Sequence, residues 1–432
     1  MKRALRFLRR VIAVLVLAVI LIINARLYTQ SGTTISAHTP IEADVRAQLK
    51  FLRRAIESGA DADMQRLFPE GRFFMNCLYG LANVEAGLRE QENSPLRQHF
   101  LDEARWAMAR VDSPTNKAVF SQHLHPQYGI FYAGWSATLH AGTLALQSEK
   151  ARETQEVDTL RARCDEIAAA FTAAQTPYLQ AYHGEAWTCD SAAAIFALYA
   201  CDRILTPSYN STIERWITAA RSLRDPATGL LGHRVHTETG ALLDGPRATS
   251  MCITIRFLSE ASPELGAELY ENFREQMMTT RLGLPGVREY PKGVNGSGDV
   301  DSGPLLFGIS TSATAVTAGV ARIVGDTDAA ARITQATETL AMPFTWNGDR
   351  RHFGGMLPVA DAFITWSRTS RPWFSKSPPH KWNPVFPWWW RIPTHLISLV
   401  FVIPFIRPLL RRNKETSDDG PRRADTDSAN AL

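Results

Sequence analysis

The feature that most constrains the fold of this chain is a long succession of helical segments between Glu42 and Ser370. Apolar residues recur there at helical spacing, and strands with alternating apolar and polar residues are nearly absent. Capping residues and N1 prolines stand where several new helices would begin, and we predict about twelve segments. They begin near Glu42, Arg72, Pro95, Gly129, Ala151, Thr188, Ser211, Pro246, Pro263, Pro304, Thr327 and Met356.

Two kinds of helix alternate along this succession. The third, fifth, seventh, ninth and eleventh segments are amphipathic with one charged face, which is typical of surface helices. The fourth, sixth and tenth, for example "SAAAIFALYACDRIL", are small and apolar nearly all round, so we expect them to be buried on every side. This alternation predicts a closed two-layer ring. An open helical solenoid is the competing fold, but the segments lack the fixed period of such arrays.

This layout of six helical hairpins, with "GWSATLHAGTLAL" and "GPLLFGISTSATAVTAGVARIVG" among the inner helices, resembles the six-hairpin (α/α)6 toroid superfamily. The superfamily includes glycoside hydrolases, uronyl hydrolases, polysaccharide lyases, epimerases and linalool dehydratase/isomerase. The resemblance implies an all-α (α/α)6 toroid over residues 42–370. It leaves the activity open, because one fold hosts many chemistries.

The N-terminal residues have the pattern of a membrane anchor. Five cations precede the apolar run "VIAVLVLAVILII", which lies between Arg10 and Asn24. A basic flank followed by an apolar run is typical of a secretory signal or a signal anchor. No A-x-A cleavage site follows, so we favour an uncleaved anchor over residues 1–28, with a cleaved signal peptide as the alternative.

A second apolar segment lies near the C-terminus. Residues 388–406, "WWWRIPTHLISLVFVIPFI", are expected to form either a second transmembrane helix or a helix that lies in the membrane interface. If both segments span, the basic flanks place both termini in the cytoplasm. The main domain is then expected on the periplasmic or extracellular side of the cell (inner) membrane. Residues 29–41 and 371–387 are predicted linkers, the latter rich in Pro and Trp, and 407–432 a basic and then disordered tail.

Composition excludes several function classes. The net charge is only +4 and several of the cations lie at the two ends, so no nucleic-acid surface is expected. Five cysteines without a C-x-x-C pair indicate neither a zinc cluster nor a dense disulfide framework. We also find no nucleotide-binding loop, dinucleotide fingerprint or haem ligand set, and we expect no cofactor and no metal. The lipid bilayer is an expected partner, and the oligomeric state stays open.

Long, polar and aromatic connections lead into the predicted inner helices, whereas short ones leave them. In a ring, the long connections open at one end, which we call the mouth, and a ligand is expected there. The connections are "SQHLHPQYGIFYAGW", "YLQAYHGEAWTCD", "LGHRVHTETGALLDGPR", "REYPKGVNGSGDVDSGP" and "WNGDRRHFGG".

Carboxylates in these connections are the first candidates for catalysis. Glycoside hydrolysis needs an acid and a second carboxylate roughly 5–9.5 Å apart. Asp301 or Ser302 is expected to cap the helix predicted at Pro304, which would leave Asp299 free. Because neighbouring carboxylates disfavour each other's charge, one pKa of the pair Asp299 and Asp301 is expected to be raised. The predicted catalytic residues are Asp299, Asp301, Glu185 and Asp190, with His125 and His236 as further acid/base candidates.

Aromatic, histidine and arginine side chains in the same connections are candidates for substrate binding. Flat aromatic faces stack on sugar rings or shape an apolar pocket, and core packing is the competing explanation. The predicted substrate-binding residues are Tyr128, Tyr132, Trp135, Tyr182, His183, Trp187, Arg247, Tyr290 and His352.

Three functions stay open on the sequence alone. The first is a membrane-anchored, exported enzyme that hydrolyses an envelope or extracellular glycan by acid/base catalysis. The second is a dehydratase or isomerase acting on an apolar alcohol, similar to linalool dehydratase/isomerase, which would use His125, Tyr132 and Cys189. The third is a non-catalytic glycan-binding or scaffolding module.

Overall fold

The computed structural model describes residues 2–28, 41–374 and 381–410. Within these ranges the chain forms sixteen α-helices and only short strands. In chain order the helices are α1 (Lys2–Arg26), α2 (Ala43–Glu57), α3 (Ala60–Leu67), α4 (Gly71–Gly87), α5 (Pro95–Val111), α6 (Pro114–Lys117), α7 (Gly129–Ala145), α8 (Thr154–Ala173), α9 (Thr188–Ile204), α10 (Asn210–Ser222), α11 (Ala248–Ala261), α12 (Pro263–Met277), α13 (Thr311–Ile323), α14 (Thr327–Leu340), α15 (Pro358–Thr369) and α16 (Ile392–Leu410).

Six helices form a closed inner ring. Each contacts the next in the order α4, α7, α9, α11, α13 and α15, and α15 returns to contact α4. The outer helices α2, α5, α8, α10, α12 and α14 each pack on one or two members of this ring. The protein is therefore an all-α (α/α)6 toroid, as predicted, and the predicted order of exposed and buried helices is confirmed.

Small residues let the inner helices approach one another closely. A Cβ atom at Gly134 of α7 would lie only 2.8 Å from the backbone nitrogen of Ala194 in α9. A Cβ atom at Gly319 of α13 would lie 2.9 Å from the Cα of Ser367 in α15. Neither position has room for a side chain. The uncharged, small-residue character of these segments thus follows from their place between neighbouring helices.

The ring is filled at the end opposite the mouth. Arg256 of α11 forms a buried ion pair with Glu85 of α4, and its guanidinium lies 3.6 Å from the centre of the Trp366 ring. The Glu85 carboxylate also accepts a hydrogen bond from Thr369 at 3.3 Å. These contacts explain why the eighth predicted segment carries a charge in its middle: the charge pairs across the ring.

Most predicted helix starts agree with the structure. The Ser94 side chain caps α5 by accepting a hydrogen bond from Arg97 N at 3.1 Å, and Asp326 caps α14 through Ala329 N at 3.0 Å. The predicted start at Pro304 is wrong: the helix begins at Thr311, because a β-hairpin occupies the preceding residues. Two short helices, α3 and α6, were not predicted and lie in connections that lead inward.

All nine strands of the described residues lie in connections from an outer to an inner helix. The strands β1, β2 and β3 form one antiparallel sheet that joins the connections before α9 and α11, and the others form three hairpins, β4–β5, β6–β7 and β8–β9. They are β1 (Ala186–Trp187), β2 (Arg234–Val235), β3 (Leu242–Asp244), β4 (Met278–Arg281), β5 (Leu284–Val287), β6 (Leu305–Leu306), β7 (Ile309–Ser310), β8 (Phe344–Trp346) and β9 (Asp349–Arg351).

The terminal helices α1 and α16 pack against each other. In the described part of the chain, α1 is the one helix long and apolar enough to cross a membrane, and α16 contains a shorter apolar stretch, Ile392–Ile406. The helix α16 begins four residues after the predicted start, since Trp388–Arg391 forms turns. Residues 29–40 of the predicted linker 29–41, the middle of the predicted linker 371–387 and most of the predicted tail lie outside the described residues.

Candidate active site

The inward connections carry the N-terminal ends of all six inner helices to one end of the toroid. Inner helices share one direction because each is reached from an outer helix at this end, and the returns at the other end are short. Helix N-termini favour negative charge through their unpaired N–H groups. The mouth predicted from the sequence is thus built from long connections and six converging helix starts.

The loop before β6 holds two aspartates in different states. The Asp299 carboxylate accepts hydrogen bonds from the backbone N–H groups of Asp301 at 3.1 Å and Ser302 at 3.0 Å. It is therefore Asp299, and not Asp301, that accepts the local backbone N–H groups, which corrects the sequence prediction. Ser310 caps α13, through Ala313 N at 3.2 Å. The capping prediction failed because the β6–β7 hairpin separates Asp301 from the helix.

Arg247, the residue before α11, holds Asp299 in place. Its guanidinium donates to Asp299 Oδ2 at 2.5 Å and to the buried Glu289 Oε1 at 2.7 Å. Partial burial opposes ionisation of Asp299, but the hydrogen bonds from Arg247 and Ser302 outweigh it and lower the pKa to about 2. Asp299 is consequently a fixed anion, suited to orienting the loop and unsuited to proton donation near neutral pH.

His233 completes this polar cluster in an uncharged form. Its Nδ1 lies 2.5 Å from the hydroxyl oxygen of Ser250, and its Nε2 lies 3.5 Å from the Arg247 guanidinium. Burial and the positive charge of Arg247 lower the pKa of His233 to about 4. The imidazole is therefore neutral at neutral pH, and its contacts hold Ser250 and Arg247 in place.

Asp190 lies in the first turn of α9 and is 6% exposed. Burial, together with the negative charges of Asp301 and Glu70, raises its pKa to about 8, although a contact with the Cys189 thiol at 3.7 Å acts in the opposite direction. The N-cap position belongs to Trp187, so Asp190 does not cap the helix. Asp190 is a buried carboxylic acid that is protonated at neutral pH.

Asp301 is accessible to solvent and lies among other acids. Partial desolvation by surrounding residues and the negative charge of Asp299 raise its pKa to about 6, and Glu70 and Glu289 add to this effect. Within the described residues, no hydrogen bond engages its carboxylate. The sequence prediction that one pKa of the pair is raised agrees with this result, and the raised pKa belongs to Asp301.

Glu70 joins the acid cluster from another side of the ring. It precedes α4, and its carboxylate accepts a short hydrogen bond from the Tyr182 hydroxyl in the connection before α9. The helices α4 and α9 are separated in the ring by α7. Glu70, Asp190 and Asp301 therefore come from separate connections and lie close enough for their charges to interact. We refer to these three residues as the acid cluster.

Sequence reasoning missed Glu70 and Glu289. The connection before α4 is short and looked unremarkable beside the longer ones, and Glu289 stands inside a strand-like run. One signal was available for Glu70: it is an acidic residue placed immediately before an inner helix. No signal marks Glu289, because its role depends on the approach of Arg247 and of Thr249, whose hydroxyl donates to Glu289 at 2.8 Å.

Glu185 lies immediately before β1 and forms an ion pair with the neighbouring strand of the three-stranded sheet. Arg234 of β2 donates to Glu185 at 3.0 Å and to Asp244 at 2.9 Å. All three side chains are partly exposed, and cross-strand ion pairs of this kind contribute little to stability. They fix the connections before α9 and α11 against each other. The structure thus places Glu185 and Asp244 in a support of the mouth.

Several predicted aromatic residues lie together beside the acid cluster. Tyr182 contacts Trp187 edge to face, with ring centres 6.0 Å apart, and Tyr128 contacts Tyr132 in the same way at 5.3 Å. Tyr132 is 4% exposed and donates to Asp112, which holds it in the wall. The faces of Tyr128, Tyr182 and Trp187 are partly exposed and available for stacking.

Two predicted substrate-binding residues do not reach the mouth. Trp135 is 2% exposed and packs between Phe257 and Trp366 in the core of the ring. His352 is fully buried, with Nδ1 2.8 Å from Asp361 and Nε2 3.3 Å from Glu338. Although burial favours the neutral ring, hydrogen bonds that the protonated ring donates to these carboxylates raise the pKa of His352. Both predictions are corrected, since the side chains are enclosed by helix packing.

The other predicted residues lie on the surface of the inward connections. His125, His183 and His236 are exposed, and the Nδ1 of His236 accepts from the Glu238 backbone within a turn. Tyr290 is partly buried, donates to Ser297 O at 2.9 Å and lies 5.5 Å from the Arg247 guanidinium. No group of three or more His, Cys, Asp or Glu residues in the described chain has the geometry of a metal site.

Comparisons with known proteins find similarity among solved structures. No family model and no curated protein matches the chain. A GH76 alpha-mannanase from Bacteroides thetaiotaomicron is similar in structure with a TM-score of 0.42 and 11% identity, covering 69% of this chain and 85% of that one. The toroid itself rests on the closed ring of inner helices described above.

Proposed function

We propose that the protein is a membrane-anchored, exported enzyme that hydrolyses a glycan of the envelope or the extracellular space by acid/base catalysis. The observation that carries the proposal is the acid cluster, in which a buried Asp190 with a pKa of about 8 interacts with a solvent-accessible Asp301 with a pKa of about 6. Glycoside hydrolysis uses one protonated and one ionised carboxyl group. Near pH 7 these two residues meet that requirement.

In this mechanism Asp190 donates its proton to the glycosidic oxygen as the bond to the anomeric carbon breaks. The ionised Asp301 either removes a proton from the attacking water or attacks the anomeric carbon itself. The Glu70 carboxylate, which accepts a hydrogen bond from Tyr182, contributes to the raised pKa of Asp190. The partly exposed faces of Tyr128, Tyr182 and Trp187 supply stacking surfaces for sugar rings.

The surroundings of Cys189 do not favour the dehydratase or isomerase alternative. Burial and the negative charge of Asp190 raise the pKa of the Cys189 thiol well above its usual value. The thiolate is the reactive form of cysteine, so a neutral thiol is a poor nucleophile. The acid cluster beside it needs no thiol for glycoside hydrolysis.

The test is release of reducing ends from a panel of envelope and extracellular polysaccharides. Asp190→Asn and Asp301→Asn should each lower kcat/KM by about 10²–10⁴-fold, the usual contribution of general acid or base catalysis. The matched control is Glu238→Gln, an exposed acid in the β2–β3 turn, which should retain full activity. Unchanged turnover in both aspartate variants would contradict the proposal. Glycan binding without any cleavage by the unsubstituted chain would instead identify a binding module.

A further inference from the structure

Exposed apolar side chains of the toroid are confined to the mouth end. Among residues 41–374, every exposed large apolar side chain lies in an inward connection or at the last residue of α14, which ends there. The connections at the opposite end carry none of them. These residues are Leu67, Leu242, Leu243, Leu282, Val294, Val300, Leu306, Phe307, Leu340, Phe344, Trp346, Phe353, Met356 and Leu357.

The most exposed of these side chains lie at the tips of the connections. Met356 is 82% exposed, Phe307 at the tip of the β6–β7 hairpin 73%, and Trp346 beside the tip of the β8–β9 hairpin 71%. Scattered apolar residues are normal on a protein surface, but a concentration on one face marks an interaction surface. We call this group of fourteen side chains the apolar rim.

The terminal helices are attached at the same end of the toroid. Arg26, the last residue of α1, donates to Pro343 O in the connection before α15. Gly283, in the β4–β5 turn, lies so close to Trp390 that a Cβ atom would be 2.3 Å from its carbonyl oxygen. Arg391 joins the two helices to each other and to α14 by donating to Leu27 O at 2.9 Å and Gln335 at 2.8 Å.

From this attachment α1 and α16 run side by side in opposite directions. Tyr28 contacts His395 and Asn24 contacts Ser398, both at 2.8 Å, which establishes the antiparallel register. Apart from the stripe by which each helix faces the other, their side chains are largely exposed. The pair therefore projects from the mouth end, with Trp388 (79% exposed) beside its base. Tryptophan and tyrosine at this level are typical of the membrane interface.

We infer that the mouth face docks on the lipid bilayer, with the apolar rim in the interfacial layer and the acid cluster facing the membrane surface. The bilayer is the expected docking partner because the apolar rim is continuous with the anchor. A bilayer that contains α1 begins at the level of Arg26 and Trp388, which is where the apolar rim lies. The free energy of the system falls when apolar and aromatic side chains enter this layer. A rim at the opposite end would have no such surface beside it.

This orientation also narrows the substrate class, a step that rests on the proposed function. A mouth that faces the bilayer is closed to long polymers in solution and open to sugars presented from the membrane. The substrate is then a glycan carried on a lipid, whose sugar reaches Asp190 and Asp301 while its acyl or isoprenoid chain stays in the bilayer. The apolar rim would surround that chain where it leaves the membrane.

Depth-dependent fluorescence quenching of the full-length chain in lipid nanodiscs tests the docking. One environment-sensitive thiol probe is placed on Met356→Cys in the apolar rim and another on Gln91→Cys, an exposed residue at the opposite end. The unsubstituted chain gives the labelling background of its native cysteines. Acyl-chain nitroxides should quench the Met356 probe several-fold more than the Gln91 probe, and an aqueous quencher should show the reverse.

Equal access of the aqueous quencher to both probes would overturn the inference. Protection of the Met356 probe from water without quenching by the nitroxide lipid would also overturn it, because another protein would then cover the rim. The thermal midpoint of each labelled chain verifies that it is folded. These outcomes do not depend on any enzymatic activity.

A second experiment separates the substrate class from the proposed function. The triple variant Phe307→Ser, Trp346→Ser and Met356→Ser removes apolar contacts without touching the acid cluster. It should lose about tenfold or more of its activity on a lipid-linked oligosaccharide in vesicles and keep its activity on the same oligosaccharide free in solution. Equal loss on both substrates would contradict the membrane-borne substrate, whereas absence of activity on both in the unsubstituted chain would contradict the proposed function itself.

Discussion

At the scale of single residues, the two aspartates of the loop before β6 differ because only one of them is paired. Asp299 takes hydrogen bonds from Arg247 and two backbone N–H groups, which stabilise its charge. Asp301, two residues later, accepts none of these hydrogen bonds on its carboxylate, and partial desolvation together with the charge of Asp299 raises its pKa. The three-dimensional surroundings thus shift the pKa values of these two nearby residues in opposite directions.

The first residue-scale prediction concerns the dependence of activity on pH. The proposed mechanism requires ionised Asp301 and protonated Asp190, whose pKa values are about 6 and about 8. A plot of kcat/KM against pH should therefore be bell-shaped, falling below about pH 6 and above about pH 8. In Asp301→Asn the acidic limb should disappear from the residual activity. A profile that is flat between pH 5 and pH 9 would contradict the assignment.

The second residue-scale prediction concerns how the stability of the folded state depends on pH. In the unfolded chain Asp190 ionises near its ordinary pKa of about 3.9, whereas in the folded chain it does so at about 8. The unfolded state therefore binds fewer protons between these values, and stability falls as the pH rises through them. Asp190→Asn avoids this loss. Calorimetry should show that the thermal midpoint of the variant, minus that of the unsubstituted chain, increases between pH 4 and pH 8. A difference that stays constant over this range would contradict the prediction.

At the scale of secondary-structure elements, the mouth depends on where each inner helix begins. Helix starts with a capping side chain were predicted correctly at Ser94 and Asp326, since the capping residue and the first turn are adjacent in sequence. The start of α13 was misplaced because the sequence "GP" at 303–304 resembles a helix start. In the structure the chain first forms the β6–β7 hairpin, and Ser310 supplies the cap.

The element-scale prediction compares two N-caps. Ser310→Ala and Ser94→Ala each remove a side-chain acceptor for a helix N–H, and each should lower the free energy of unfolding by about 1 kcal/mol in denaturant titrations. The Ser310 hydroxyl also donates to Ser302 O at 2.9 Å in the loop of Asp299 and Asp301. Ser310→Ala should therefore reduce kcat/KM as well, while Ser94→Ala, at the opposite end, should not. Equal activity in both variants would show that the cap does not position the loop.

At the scale of the whole molecule, ring closure decides which residues meet. Glu70 and Tyr182 are 112 positions apart, yet they form a hydrogen bond because both precede inner helices. The same closure buries Trp135 and His352, which the sequence placed beside the mouth. The attachment of α1 and α16 at the mouth end likewise connects the first and last described segments of the chain.

The whole-molecule prediction concerns membrane topology. Because α1 and α16 are antiparallel, a bilayer that both helices cross would place the two termini on the same side and the toroid on the other. In sealed vesicles of either orientation, epitope tags at the two termini should be either both protected from protease or both digested. A tag in the turn at Glu238 should show the opposite protection. Different protection of the two terminal tags would mean that only one helix spans.

The sequence alone determined the helical composition, the alternation of inner and outer helices, the end of the ring that carries long polar connections, and the apolar character of both termini. These properties depend on local periodicity and on residues within one or two turns of each other. The tertiary structure alone decided which acids pair, which are buried and which lie at the mouth. Glu185 forms an ion pair with Arg234, and Asp299 forms one with Arg247. Asp190 lies within electrostatic range of Glu70 and Asp301. Proton affinity depends on burial and on charges a few ångströms away, and those distances exist only once the ring has closed.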